Sequence, residues 1–139
     1  MNKILRFESE VLEIRNLTPT VKHFRMSVPE EFSFEPGQYV NYSIPLEGGK
    51  SVRRAYSIAS IPEQKGSVDL CIKYVEGGPA SKLFFSLKGG EKLNAIGPIG
   101  HFILKETSQD KDIVFIATGT GIAPFRSMRF ANTSDRSRS

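Results

Sequence analysis

The chain has 139 residues, 39% of them apolar, with ten phenylalanines and four tyrosines: enough for one compact domain and too few for two full ones. Of its formal net charge of +4, +3 sits in the last fourteen residues, where Arg126, Arg129, Arg136 and Arg138 face only Asp135, while the other 125 residues carry 15 basic and 14 acidic side chains; a near-neutral body argues against a nucleic-acid-binding face. Cys71 is the single cysteine, the first residues lack the apolar stretch of a signal peptide, and the longest apolar run is Ile113 to Ala117, so an internal disulfide and a membrane span are excluded and a cytoplasmic protein is expected.

Segments near 4–15, 20–28, 38–45, 53–59, 67–75 and 91–97 each carry β-branched or aromatic residues in strand-like alternation. Turn residues separate them: Asn16 to Pro19, Glu35-Pro36-Gly37, Glu47-Gly48-Gly49, Pro62 to Gly66 and Lys88-Gly89-Gly90. Six short strands at this spacing predict a mainly β chain, an antiparallel Greek-key barrel whose closure hides strand edges. One helix breaks the pattern in GGPASKLFFSLKGG. Pro79 suits its first turn, Leu83, Phe84 and Leu87 share a face, and Gly89 supplies a stop, so it is expected to cap the barrel. Ile113 to Ala117 then reads as a buried strand followed by a glycine turn, the opening of a nucleotide-binding βαβ unit. After Met128 the chain reads as a polar tail.

Two stretches carry chemistry: RRAYSIAS at 53–60 and YVEGGPASKLFF at 74–85. Period-two alternation puts Arg54 and Tyr56 on one face of a strand, with Ser57 at its end. An arginine fork suits a phosphate, a tyrosine ring suits a flat aromatic ligand, and a serine offers a directional hydrogen bond. Gly77-Gly78-Pro79-Ala80-Ser81 opens the helix, where free N–H groups and the helix dipole favour an anion. A pyrophosphate joined to a planar ring satisfies both, and that describes a flavin nucleotide. His23 and His101 have no second ligand type at metal spacing, so no metal site is expected.

RAYS, GGPAS at a helix start, GPIGHF at 97–102 and ATGTGIAPFRSM at 117–128 together resemble the ferredoxin–NAD(P)H reductase family, in its order and spacing, over roughly residues 5 to 130. The resemblance implies FAD, preferred over FMN, as cofactor and NAD(P)H as co-substrate. Arg54 would bind the pyrophosphate, with Ala55 beside it. Tyr56 would pack on the isoalloxazine ring and Ser57 would hydrogen-bond near the nitrogen that receives hydride, making these two the candidate catalytic residues. Cys71, Ile72 and Lys73 would border the ribityl and adenine portions. Gly78, Pro79, Ala80 and Ser81 would cradle phosphate, and Thr118 would approach the ring. Gly119, Thr120 and Gly121 would be the remnant of the turn that receives nicotinamide. The implied acceptor is an iron–sulfur protein, a flavodoxin or an oxygenase component.

Three regions are expected: a flavin-binding barrel over 1–110, a remnant of the nucleotide-binding domain over 111–128, and a disordered tail over 129–139. A crossover helix and second strand are not legible, so the chain reads as truncated and its NAD(P)H turnover as impaired. Alternatives are a flavin-binding electron-transfer subunit completed by a partner chain, or a flavin-free assembly module. An apolar strand without neighbours at 113–117 is an edge that invites a homodimer.

Overall fold

The computed structural model describes residues 2–108 and 110–136. Its six strands are β1 (Leu5–Thr18), β2 (Val21–Ser27), β3 (Tyr39–Pro45), β4 (Ser51–Ser57), β5 (Ser67–Lys73) and β6 (Lys92–Ile99). All pairings are antiparallel, in the spatial order β4-β3-β6-β1-β2-β5. The hairpins β1–β2 and β3–β4 are bridged by β6, and β5 returns to the outside of β2, which is the Greek-key connection. The sheet curls until its edge strands approach each other: Ala59 N, just past β4, donates to Asp69 O on β5 at 2.8 Å. That closure removes the exposed edges that six free strands would leave.

Alternation builds the core. On β3, Val40, Tyr42 and Ile44 are fully shielded while Asn41 and Ser43 between them are not, and on β5 Val68, Leu70 and Ile72 point inward. Helix α1 (Pro79–Ser86) plugs the open end. Pro79 occupies its first position, where a missing N–H costs nothing, and Phe84 drops into the core against Phe24 and Tyr42, with ring centroids 5.3 and 5.9 Å apart. Burying that ring contributes about 1.5–3 kcal/mol. The helix ends at Ser86, ahead of the expected stop at Gly89, because Leu87 turns to extended geometry to bury its side chain.

Two expectations for the end of the chain are corrected. Ile113 to Ala117 is not a strand: it runs as irregular chain, with Val114 80% and Ile116 85% exposed. A parallel strand needs neighbours on both sides, and no described strand lies beside it. Phe115 stacks on Phe125 at 4.7 Å. Nor does the chain lose order after Met128. A 3-10 turn (Gly119–Ile122) leads into helix α2 (Ala123–Arg136), which takes in most of the supposed tail; residues 137–139 lie outside the described residues. Ala123, Pro124, Ser127 and Met128 are buried at one-turn spacing, so this face docks on the barrel and nucleates a helix that propagates cooperatively into the polar sequence beyond.

Candidate functional site

Strand β4, last in the sheet order, borders a cleft between β4, β5 and α1. The cleft has a volume of about 550 Å³. Its walls carry Arg54, Ala55, Tyr56 and Ser57 from β4, Cys71 and Lys73 from β5, Gly78 to Ser81 from the start of α1, and Thr120 and Gly121 from the 3-10 turn. Residues far apart in sequence thus meet at one opening. Three expected members stand apart: Ile72, Thr118 and Gly119, the last exposed at the start of the 3-10 turn and outside the lining. Ile72 is only 1% exposed and faces the core, because alternation on β5 turns it away from Cys71 and Lys73. Thr118 is exposed and caps the 3-10 turn outside the lining, its carbonyl accepting from Gly121 N at 3.1 Å.

Three features fix the chemistry of the cleft. Arg54 is exposed at its edge; Nη1 donates to the Arg53 carbonyl at 3.0 Å, and no carboxylate pairs with it among the described residues. Its remaining donors suit an anion. Opposite, α1 begins at Gly78 without a side-chain cap, and Gly78 to Ser81 line the cleft, so the positive end of the helix lies beside it. The glycines shape the turn itself: a Cβ on Gly78 would stand 3.1 Å from the Val75 carbonyl oxygen, and Gly77 has a φ of +74°. Ser81 lies on the cleft wall, and its hydroxyl is also tied to the turn before the helix. It accepts from Val75 N at 2.7 Å and is buried, so its work is to hold the glycine turn in shape.

Between these polar ends lies a flat apolar wall. Tyr56 is half-buried, its ring edge-on to Phe84 at 5.2 Å and tilted against Tyr42 at 6.4 Å. Burial pushes its phenol pKa up, with Arg54 partly opposing, so the hydroxyl stays neutral at physiological pH. Burial likewise raises the pKa of the Cys71 thiol, against the pull of the Arg126 guanidinium, and leaves it a neutral wall of the cleft.

Sequence reading passed over Val75 and Ala123, which also line the cleft, and the group around Asp69 on β5. Asp69 is 3% exposed; it accepts from Arg25 Nε at 2.8 Å and from Gln64 Nε2 at 3.2 Å, and His23 Nε2 lies 3.4 Å away. His23 makes no hydrogen bond there, so its attraction depends on charge. Burial works to raise the Asp69 pKa, but its partners outweigh burial and hold it below the ordinary carboxylate range. An acidic residue amid the apolar positions of β5 was the signal available.

Residues 8–103 match the family model described as an oxidoreductase FAD-binding domain. The chain is 42% identical over 124 residues to ferredoxin–NADP reductase B of Sorangium cellulosum, covering 88% of this chain and 50% of that protein. It is 38% identical over 124 residues to the phenol hydroxylase P5 protein of Acinetobacter pittii, covering 88% of this chain and 34% of the relative. Among solved structures, the Amycolatopsis cytochrome P450 reductase GcoB superposes over 99% of this chain and 42% of its own, with a TM-score of 0.85 at 30% identity. A Neisseria gonorrhoeae ferredoxin NADP+ reductase with bound FAD and NADP does so over 89% of this chain and 50% of its own, with a TM-score of 0.78 at 30% identity. The chain spans half or less of the length of these relatives. With an antiparallel Greek-key barrel, a helix-capped cleft and this match, the chain belongs to the FAD-binding domain family of oxidoreductases, of the ferredoxin–NADP reductase type.

Proposed function

We propose that the chain binds FAD in the cleft between β4, β5 and α1 and serves as the flavin module of an oxidoreductase that passes electrons between NAD(P)H and a one-electron acceptor. The observation that carries this reading is the convergence of Arg54, the uncapped start of α1 at Gly78 and the Tyr56 ring on one opening. Arg54 and the N–H groups of the first turn of α1 hold the pyrophosphate, and Tyr56 supports the isoalloxazine ring from the Phe84 side. Ser57, half-buried at the end of β4, presents a hydroxyl toward the ring. When bound, the flavin accepts a hydride and releases electrons singly, while the protein supplies placement and polarity. An iron–sulfur protein, a flavodoxin or an oxygenase component fits as acceptor; the phenol hydroxylase P5 protein is a relative of that third kind.

The test is reconstitution of the purified 139-residue chain with FAD, read by absorption. A retained flavin band supports the reading, and protein that stays colourless with excess FAD overturns it. Dithionite should reduce the bound flavin. Reduction by NADH or NADPH should be slow for these 139 residues alone, since Gly119 to Gly121 and one helix offer little to orient a nicotinamide ring, and orientation supplies much of such a rate. Fast, saturable reduction in a stopped-flow trace would overturn that part.

A second reading concerns partners. Ile113, Val114 and Ile116 are 41%, 80% and 85% exposed in one short stretch, with Ile122 at 58% nearby. Scattered apolar residues need no explanation, but a consecutive set favours coverage by another chain. A second copy fits as the occupant, in an isologous dimer through residues 113–117.

A further inference from the structure

The segment leading out of β4, Ile58 to Ser60, is held from two sides. On the barrel side, Ile58 N donates to Gln38 O at 3.0 Å, Ala59 N to Asp69 O at 2.8 Å, and Asp69 N to Ser60 Oγ at 3.0 Å. The Asp69 carboxylate adds a brace, accepting from Gln64 just beyond the segment and from Arg25 on β2. On the other side stands α2. Ser127 Oγ donates to Ser60 O at 2.5 Å, and Arg126 Nη1 donates to Ala59 O at 2.7 Å. Ser60 and Ser127 are 1% and 0% exposed, so the Ser127–Ser60 bond is made away from water, while Arg126 reaches Ala59 O from an exposed position.

We infer that Arg126 and Ser127 are positioning residues: by grasping the consecutive carbonyls of Ala59 and Ser60 they hold Thr120 and Gly121 against the mouth of the flavin cleft. The geometry supports a clamp. Two donors on adjacent helical residues bind two adjacent acceptors, which fixes both the place of α2 and its rotation; one bond would leave the helix free to swing. The acceptors are backbone carbonyls, and the barrel ladder together with Asp69 orients them beforehand. From Ser127 the helix runs back one turn to Ala123, which lines the cleft, and the 3-10 turn carrying Thr120 and Gly121 follows directly. Apolar packing supports the same seat: Met128 is 2% exposed, and Phe125 meets Phe102 edge to face at 5.8 Å. Opening of this clamp would carry the 3-10 turn, with Thr120 and Gly121, away from the cleft wall. The functional meaning of the inference rests on flavin occupying the cleft.

The test compares the 139-residue chain with Arg126→Gln, Ser127→Ala and the double variant. Amide hydrogen exchange is measured first without flavin. Residues 119–130 should exchange about tenfold faster in each single variant and faster still in the double, with the β1–β6 ladder unchanged, as expected for losing a hydrogen bond in a local opening. The chains are then loaded with FAD. Iodide quenching of the flavin and the FAD dissociation rate should both rise in the variants. Unchanged exchange over 119–130 in the double variant overturns the clamp. Faster exchange with unaltered iodide quenching and FAD dissociation overturns its role at the cleft. If Ser127→Ala loses the barrel fold, Arg126→Gln, at an exposed position, still decides. Failure of wild-type protein to take up FAD would refute the cofactor reading instead, while the exchange arm would still decide the clamp.

Discussion

Tyr56 on β4 and Phe84 on α1 meet edge to face, with ring centroids 5.2 Å apart and planes at 75°. Phe84 is fully buried and Tyr56 is not, so one contact joins the barrel core to the wall of the cleft. Phe84→Ala should therefore act twice. It should lower stability by about 3–5 kcal/mol, the usual cost of emptying a buried aromatic site, and it should weaken FAD binding by letting the Tyr56 ring tilt. Urea unfolding and flavin titration check the two effects; a stability loss without any change in FAD affinity would separate the core from the cleft.

Arg54 contributes little to the fold, since it is exposed and, among the described residues, its side chain bonds only to a neighbouring carbonyl. Arg54→Ala should leave urea unfolding of the flavin-free chain unchanged within about 0.5 kcal/mol. FAD binding should weaken by about 1.5–3 kcal/mol, the scale for losing a charge-assisted partner. Equal flavin affinity in the variant would remove Arg54 from the site.

Asp69 predicts a pH dependence. Its folded pKa is depressed, so the stability it contributes is present above the ordinary carboxylate value and is lost as pH falls from about 4 toward the folded value. Arg25, His23 and Gln64 face the carboxylate, with Glu13 behind Arg25 at 3.4 Å. Asp69→Asn should destabilise the chain at pH 7 by about 1–3 kcal/mol, because Arg25 loses the nearer of its two anionic partners, at 2.8 Å against 3.4 Å. The gap between variant and wild type should shrink steadily below pH 4. A gap that is constant from pH 7 to pH 3 would show that the charge of Asp69 contributes nothing.

The exposed stretch at 113–117 should make the chain self-associate. Sedimentation of the 139-residue chain across micromolar concentrations should show a monomer–dimer equilibrium, and a chain ending at Asp110 should remain monomeric. Monomers in both cases would rule out the second-copy reading. Val114→Lys, at an 80% exposed position, should abolish the dimer without unfolding the barrel.

Much of the barrel was legible in the residues themselves. Alternation on β3 and β5, and the glycine and proline turns between strands, are local signals, and each strand formed within a few residues of where they place it. The cleft was legible for the same reason: Arg54, Tyr56 and Ser57 lie on one strand, and Gly78 to Ser81 lie at one helix start. Alternation also contained the warning about Ile72, which cannot share a face with Cys71 and Lys73. Tertiary structure decided what depends on distant partners. Ile113 to Ala117 has the composition of a buried strand, but strand pairing is non-local, and without a neighbour the stretch stays irregular. The polar sequence after Met128 became helical because residues 123–128 found a seat on the barrel, 67 residues from their partners Ala59 and Ser60 in the chain. Asp69 acquired its partner Arg25 from 44 residues away. A hydrogen bond at that separation leaves no periodic trace in sequence, since only the closed barrel brings donor and acceptor within 3 Å.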